Sequence, residues 1–167
     1  IKKNFENLKK FHSNQDNLFF ENSAISVNNE INKLFKVNEK KLNLYDDHIS
    51  GITSFKKSHL IKHGVKKSHI LEEKVNSLSI SELLEKYSIK SFDLLFIDTE
   101  GYDPKIIFDF LSNSKIRPII IFEYIHAQNE ILKKSLDLLK VNEYYLLKID
   151  ENIISIPKKI INKTKFF

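Results

Sequence analysis

Apolar side chains recur along this chain in two rhythms, and the changes of rhythm mark its elements. Over 4–13, Phe5, Leu8 and Phe11 repeat at helical spacing, which predicts a short amphipathic helix. The polar stretch Asn14-Gln15-Asp16-Asn17 ends it. Leu18-Phe19-Phe20 reads as a strand core, and the alternation of INKLFKV (31–37) reads as a half-buried strand. Residues 38–70 carry no clean period; they suggest a loop with a short helix, followed by an extended piece over 74–78. Leu83, Leu84 and Tyr87 share one face of a helix over 82–87, with Ser79 or Ser81 as its cap.

The second half is more regular. Phe92 to Ile97 is nearly all apolar, as expected of a central parallel strand covered on both faces. Pro104 suits the first turn of a helix over 104–112 that turns Ile106, Ile107, Phe110 and Leu111 inward. Residues 118–122 form a second buried strand. A helix over 128–140 presents Ile131, Leu132, Ser135, Leu136 and Leu139. Two apolar runs, 144–149 and 152–156, flank Asp150-Glu151 and predict a closing hairpin. Alternating strands and helices imply an α/β sandwich around a mainly parallel sheet, within one domain.

Composition narrows the function classes. Lys and Arg total 27, but Arg117 is the only arginine and the lysines are spread along the chain. Nucleic-acid surfaces cluster charge and use arginine forks, so nucleic-acid binding is not expected. The absence of cysteine excludes disulfides and thiolate metal sites. No apolar run is long enough for a membrane span and no leader-like segment opens the chain, so a cytoplasmic protein is expected. The chain holds no methionine, which suggests a fragment of a longer protein.

The chemistry-bearing residues gather after the two buried strands. FDLLFIDTEGYD drives an apolar run into Asp98, Glu100 and Asp103, and IIIFEYIH ends in Glu123 and His126. Ligands in open α/β sheets bind beyond the carboxyl ends of strands. Neighbouring strands lie about 4.8 Å apart, so these groups would share one site if the strands pair. Asp98 is assigned to that crevice. Glu100 stands equally between crevice and turn, and His126 gains interest from Glu123, which would orient its imidazole. Asp103 is read as the cap of the following helix and Gly101 as a left-handed turn residue. His59 and His63 have a metal-compatible spacing but no carboxylate motif beside them, so they are read as solvated. Ser54 and Ser58 lack a nucleophile elbow, no phosphate loop is present, and the lysine-rich stretches 56–67 and 158–165 are read as solvated faces.

SFDLLFIDTEGYDPKII together with RPIIIFEYIHA resembles the FkbM family of S-adenosylmethionine-dependent methyltransferases. The matching positions are Ile97, Asp98, Glu100, Gly101, Arg117, Pro118 and Glu123. NFENLKKF with NLFFENSAIS resembles the family's helix and third strand, and KVNSLSISELLEKYSIKSFD resembles the lead into its fourth strand. The resemblance runs from about residue 4 to 157. It implies a three-layer, Rossmann-like class I methyltransferase sheet of order 3-2-1-4-5-7-6, mainly parallel, with a C-terminal antiparallel hairpin.

The glycine-rich loop after the first strand and the acid ending the second are absent, so the fold would be N-terminally incomplete. Residues 18–24 would lack their bonding neighbour, and this chain alone would hold the cofactor weakly. The implied reaction is methyl transfer from S-adenosylmethionine to a hydroxyl of a sugar, glycan or small metabolite. Asn22, Ser23 and Ala24 would lie near the adenine, with Asp98 and Thr99 also on the donor. Glu100, Glu123 or His126 would take the acceptor's proton, or a divalent ion held by carboxylates would lower its pKa instead. Residues 45–63, with Tyr45, Ser54, Phe55 and His59, would form an acceptor lid. The rival reading is a non-catalytic remnant of the same fold within a longer glycan-modifying protein.

Overall fold

The computed structural model describes residues 2–27 and 33–161. Ile31, Asn32 and the end of the 158–165 lysine stretch lie outside them. Helix α1 (Lys2–Phe11) occupies the first amphipathic segment. No strand forms at Leu18–Phe20. Phe19 is 78% exposed, its ring resting on Tyr87 with centroids 5.8 Å apart. An apolar run without a ladder partner cannot satisfy its backbone as a strand. The first strand is instead β1 (Ala24–Ile25), which finds a parallel neighbour in β5 (Ser77–Leu78).

The illegible insert folds around its own small core. β2 (Lys33–Val37) is central in an antiparallel sheet, between β3 (Thr53–Ser54) and β4 (Ile70–Lys74). The short helices α2 (Asp47–Gly51) and α3 (Lys57–Lys62) pack with it through Ile49 and Leu60. Val37, Ile52, Leu60, Val65 and Ile70 are buried together there. Tyr45 serves this unit and not the crevice: its hydroxyl accepts from the Lys66 amide at 3.0 Å and bonds the His69 ring at 2.7 Å.

Helix α4 (Ile80–Lys86) opens with a reciprocal cap. The Ser79 hydroxyl accepts from the Glu82 amide, and the Glu82 carboxylate accepts from the Ser79 amide. Such a box is worth about 1 kcal/mol. The main sheet follows, in the order β6 (Leu94–Ile97), β7 (Ile119–Glu123), β9 (Asn152–Pro157), β8 (Tyr144–Ile149). Only β6 and β7 are parallel in it; the hairpin contributes both antiparallel pairings, with β9 inside. The expectation of a mainly parallel sheet is therefore met only at the β6–β7 pair and at β1–β5.

Helices α5 (Asp103–Asn113) and α6 (Asn129–Val141) cover one face of that sheet. Ile106, Ile107, Phe110, Leu111 and Leu139 meet Ile97, Ile120, Phe122, Tyr144 and Ile153 in the principal core. The Ser135 hydroxyl donates to the Pro104 carbonyl at 2.6 Å and fastens α6 to the start of α5. At the opposite end, Arg117 donates to Asn142 and to the Ser114 and Ile116 carbonyls, which gives the Arg-Pro pair a structural task. The last described element is the short α7 (Lys158–Ile161).

The other face of the sheet is open. Leu94 and Phe96 are 54% and 63% exposed, so β6 is not covered on both sides as its sequence suggests. Its outer edge also has no partner strand among the described residues. Among the described residues no helix is long and apolar enough to cross a membrane.

Glu21 joins the segment before β1 to α4. Its carboxylate lies 2.6 Å from the Lys86 ammonium and accepts from Ser23 and Tyr87. The Lys86 hydrogen bond, followed by that of Ser23, holds its pKa down at about 2, against an ordinary value of 4.5. A depressed carboxyl stabilises the fold above its unfolded pKa and loses that contribution as pH falls through its folded pKa. The stability advantage of wild type over Glu21→Gln is therefore expected to be full above pH 4.5 and to vanish as pH falls toward about 2, read by denaturant unfolding across that range.

Candidate functional site

β6 and β7 pair with Ile97 opposite Phe122, so the residues that follow, Asp98 just past β6 and Glu123 at the end of β7, start side by side. A buried carboxylate ties these two ends. Asp103 is fully buried; one of its oxygens accepts from the Thr99 amide at 3.2 Å and the Thr99 hydroxyl at 2.6 Å. The other accepts from the Glu123 amide at 3.3 Å. Asp103 is thus the first residue inside α5 and not its cap; Tyr102 holds the cap position.

The turn between β6 and α5 is forced into the left-handed region. Glu100 has φ of 53° and Gly101 of 95°. A Cβ at Gly101 would stand 2.3 Å from the His126 carbonyl oxygen, so only glycine lets this turn lie against the loop after β7. That contact brings Glu100 to His126. The His126 Nδ1 atom is 3.4 Å from the Glu100 carboxylate and 3.0 Å from that of Glu123. His59, carried by α3, comes within 3.8 Å of Glu100 through its Nε2 atom.

Burial pushes the Glu123 carboxyl above its usual range, the His126 hydrogen bond opposes this, and Glu100 and Asp98 add to the rise. The His126 imidazole is held above its usual range, chiefly by its hydrogen bond to Glu123. Burial, followed by the neighbouring His63, pushes His59 down. The two imidazoles thus differ in character: His126 favours its cation and His59 its neutral form.

Two hollows meet at this turn. The larger, of about 680 Å³, is lined by Asn22, Ser23, Ala24, Asp98, Thr99 and Glu100, with Ser54 and Phe55 from the insert. The smaller, of about 380 Å³, is lined by Thr99, Glu100, Gly101, Tyr102, His59 and His126, again with Ser54 and Phe55. Both fall in the size range of small-molecule sites. Every cofactor-side residue singled out in the sequence lines the first hollow. Glu100, Glu123 and His126 converge beside the second. Glu100 and Thr99 belong to the wall between them.

Sequence reasoning misses two contacts. Asp103 reads as a cap, because an acid before proline at a helix start carries that signature, and its tie between the strand ends is not visible locally. His59 is expected in the lid, but its approach to Glu100 is not, because Glu100 lies 41 residues further on and no local spacing joins them. From the insert, Ser54, Phe55 and His59 reach the hollows as expected; Tyr45 is tied up elsewhere.

Gly101→Ala is expected to cost about 2 kcal/mol or more, from the strained φ and the contact with His126. Gly51→Ala, where nothing lies within 4 Å, is expected to change stability by less than ~1 kcal/mol. Urea unfolding of both variants checks this; equal losses would contradict the close approach.

A family model for the methyltransferase FkbM domain matches residues 2–150. No curated protein and no solved structure matches the chain. The matched span contains both paired strand ends, the left-handed turn and the insert that supplies His59. By that match, the chain belongs to the FkbM methyltransferase domain family.

Proposed function

We propose that this chain provides the acceptor side and part of the donor side of an S-adenosylmethionine-dependent O-methyltransferase acting on a hydroxyl of a sugar, glycan or small metabolite. The observation that carries the reading is the shared wall at Thr99–Glu100 between two hollows of different chemistry. One is lined by the polar Asn22, Ser23 and Thr53, by apolar side chains including Phe5, Leu8, Ile25 and Leu34, and by the exposed carboxylates of Asp98 and Glu100, a mixture suited to a cationic donor that carries a flat base. The other is bordered by carboxylates and imidazoles, suited to a hydroxyl that must lose its proton. A transfer between adjacent hollows gains rate chiefly from orientation.

The residues present fit one side of the donor. Asn22, Ser23 and Ala24 would hold its adenine end, while Asp98 and Thr99 would face the charged end. When bound, the donor supplies a methyl group on a positively charged sulfur. The Glu100–Glu123–His126 cluster would take the proton that the acceptor hydroxyl gives up as its oxygen receives the methyl carbon, the bonding pair staying on the donor's sulfur.

The fold reading belongs with this proposal. We infer that β6, β7, β9 and β8 are the fourth, fifth, seventh and sixth strands of a three-layer, Rossmann-like sheet. The open edge of β6 and the exposed Leu94 and Phe96 support further strands and a second helical layer there. The same open edge also favours the rival reading of a non-catalytic remnant, in which no donor is held.

Calorimetry and methyl-transfer assays on the full-length protein separate the two readings. Asp98→Asn is expected to weaken donor binding by at least ~10-fold, since a charge facing a buried cation is worth one to several kcal/mol. Glu123→Gln is expected to keep donor binding and to lose turnover by ~100-fold or more. Absence of donor binding by the wild type would favour the remnant, and unchanged behaviour of both variants would remove the site assignment.

A further inference from the structure

We propose that Glu100, Glu123, His126 and His59 form a binding site for one divalent first-row transition cation, such as Mn²⁺ or Zn²⁺. One donor atom from each of Glu100, Glu123 and His126 lies within 4.8 Å of the others. The closest pairs are 3.0 and 3.4 Å apart, and His59 Nε2 extends the set at 3.8 Å from Glu100. With metal–ligand bonds of about 2.1 Å, neighbouring donors stand about 3.0 Å apart in an octahedron and about 3.4 Å in a tetrahedron. The Glu100–Glu123–His126 trio is close to that size before any ion enters, and His59, which stands outside it, would close in to complete the set.

An independent sign comes from His59. Its Nε2 atom is buried from solvent and has no hydrogen-bond partner among the described residues. At 3.8 Å from the Glu100 oxygen it is too far for a hydrogen bond, yet it faces that carboxylate. An orphaned buried ring nitrogen is costly unless something else takes its lone pair. A metal ion between His59 and Glu100 would do so; burial favours the neutral form of His59 that a ligand requires, and His126, whose Nδ1 bonds Glu123 in the empty site, would release its Nδ1 proton as the ion enters.

The donor set decides the class of ion. Two carboxylates balance a divalent charge, and two imidazoles disfavour Mg²⁺ and Ca²⁺, which prefer oxygen alone. The four side chains come from α3, from the left-handed turn, from the end of β7 and from the loop after it. Two of these attachments are locked, by Asp103 between the strand ends and by the backbone contact at Gly101. The site is therefore held by the scaffold and not by one flexible loop.

Ion binding does not depend on the proposed methyl transfer; a part in catalysis rests on that reading. There the ion would polarise the acceptor oxygen and lower its pKa. The second oxygen of Glu100, whose side chain is 44% exposed, would then receive the proton.

The test is titration of the metal-stripped protein with MnCl₂ alone, with free Mn²⁺ read from its electron paramagnetic resonance signal. The expected result is one ion per chain with micromolar affinity. Binding should weaken by at least ~10-fold in His59→Gln and in Glu123→Gln, and stay unchanged in the distant surface variant Glu72→Gln. Circular dichroism confirms folding, and His59→Gln decides the matter if Glu123→Gln fails to fold. No saturable binding by the wild type at millimolar Mn²⁺, or equal binding by wild type and His59→Gln, would overturn the proposal. Ion binding without methyl transfer would defeat only the function reading, and methyl transfer unaffected by metal removal would defeat only the catalytic part of the ion.

Discussion

One buried carboxylate organises the functional end of this molecule. Asp103 has no solvent exposure and accepts from the ends of both parallel strands, through the amide and hydroxyl of Thr99 and the amide of Glu123. Strand pairing fixes β6 beside β7 only as far as Ile97 and Phe122. Beyond that point the two chains diverge, one into a turn and a helix, the other into a loop. Without Asp103 the amides of Thr99 and Glu123 would lose these part-buried acceptors, at a cost of roughly 1 kcal/mol each. With it, the divergence starts from a fixed geometry.

What that geometry delivers is a wall with chemistry on both sides. The Thr99–Gly101 turn rises from the fixed point, and Gly101 lets it press against the His126 carbonyl. Glu100 projects from the top of the turn in a left-handed conformation, which a side chain adopts only when its surroundings impose it. The small antiparallel insert then closes the hollow from above, bringing Ser54, Phe55 and His59 to residues far away in the chain. Phe55 packs edge-on against Tyr102, with ring centroids 5.5 Å apart, and so joins the insert to the turn. The insert has its own core, separate from that of the main sheet. The site thus lies between a rigid sheet end and an independently packed cover.

Much of this was legible locally. Helical periodicity placed Ile106, Ile107, Phe110 and Leu111 on the buried face of α5, and Ser135 and Leu139 on that of α6. The apolar runs before Asp98 and Glu123 were strands, and their ends met. What escaped was non-local. Leu18–Phe20 looks like a strand because its side chains are apolar, yet a strand needs a neighbour that the described chain does not supply. Phe92–Ile97 looks buried on both faces because hydrophobic character records what a strand is built to meet, and here Leu94 and Phe96 on one face stay more than half exposed. The β2–β3–β4 sheet is held by pairings such as Phe35 with Ser54 and Glu72, which no period along 38–70 encodes. Asp103 and His59 act through partners fixed only by the fold.

The tie made by Asp103 is tested most directly by amide hydrogen exchange, comparing wild type with Asp103→Ala. The amides of Thr99 and Glu123 are expected to be protected in the wild type and to exchange at least ~10-fold faster together in the variant, while those of β8 and β9 keep their protection. Unchanged exchange at both amides, or a loss of protection spread evenly over the whole sheet, would contradict the role given to this carboxylate.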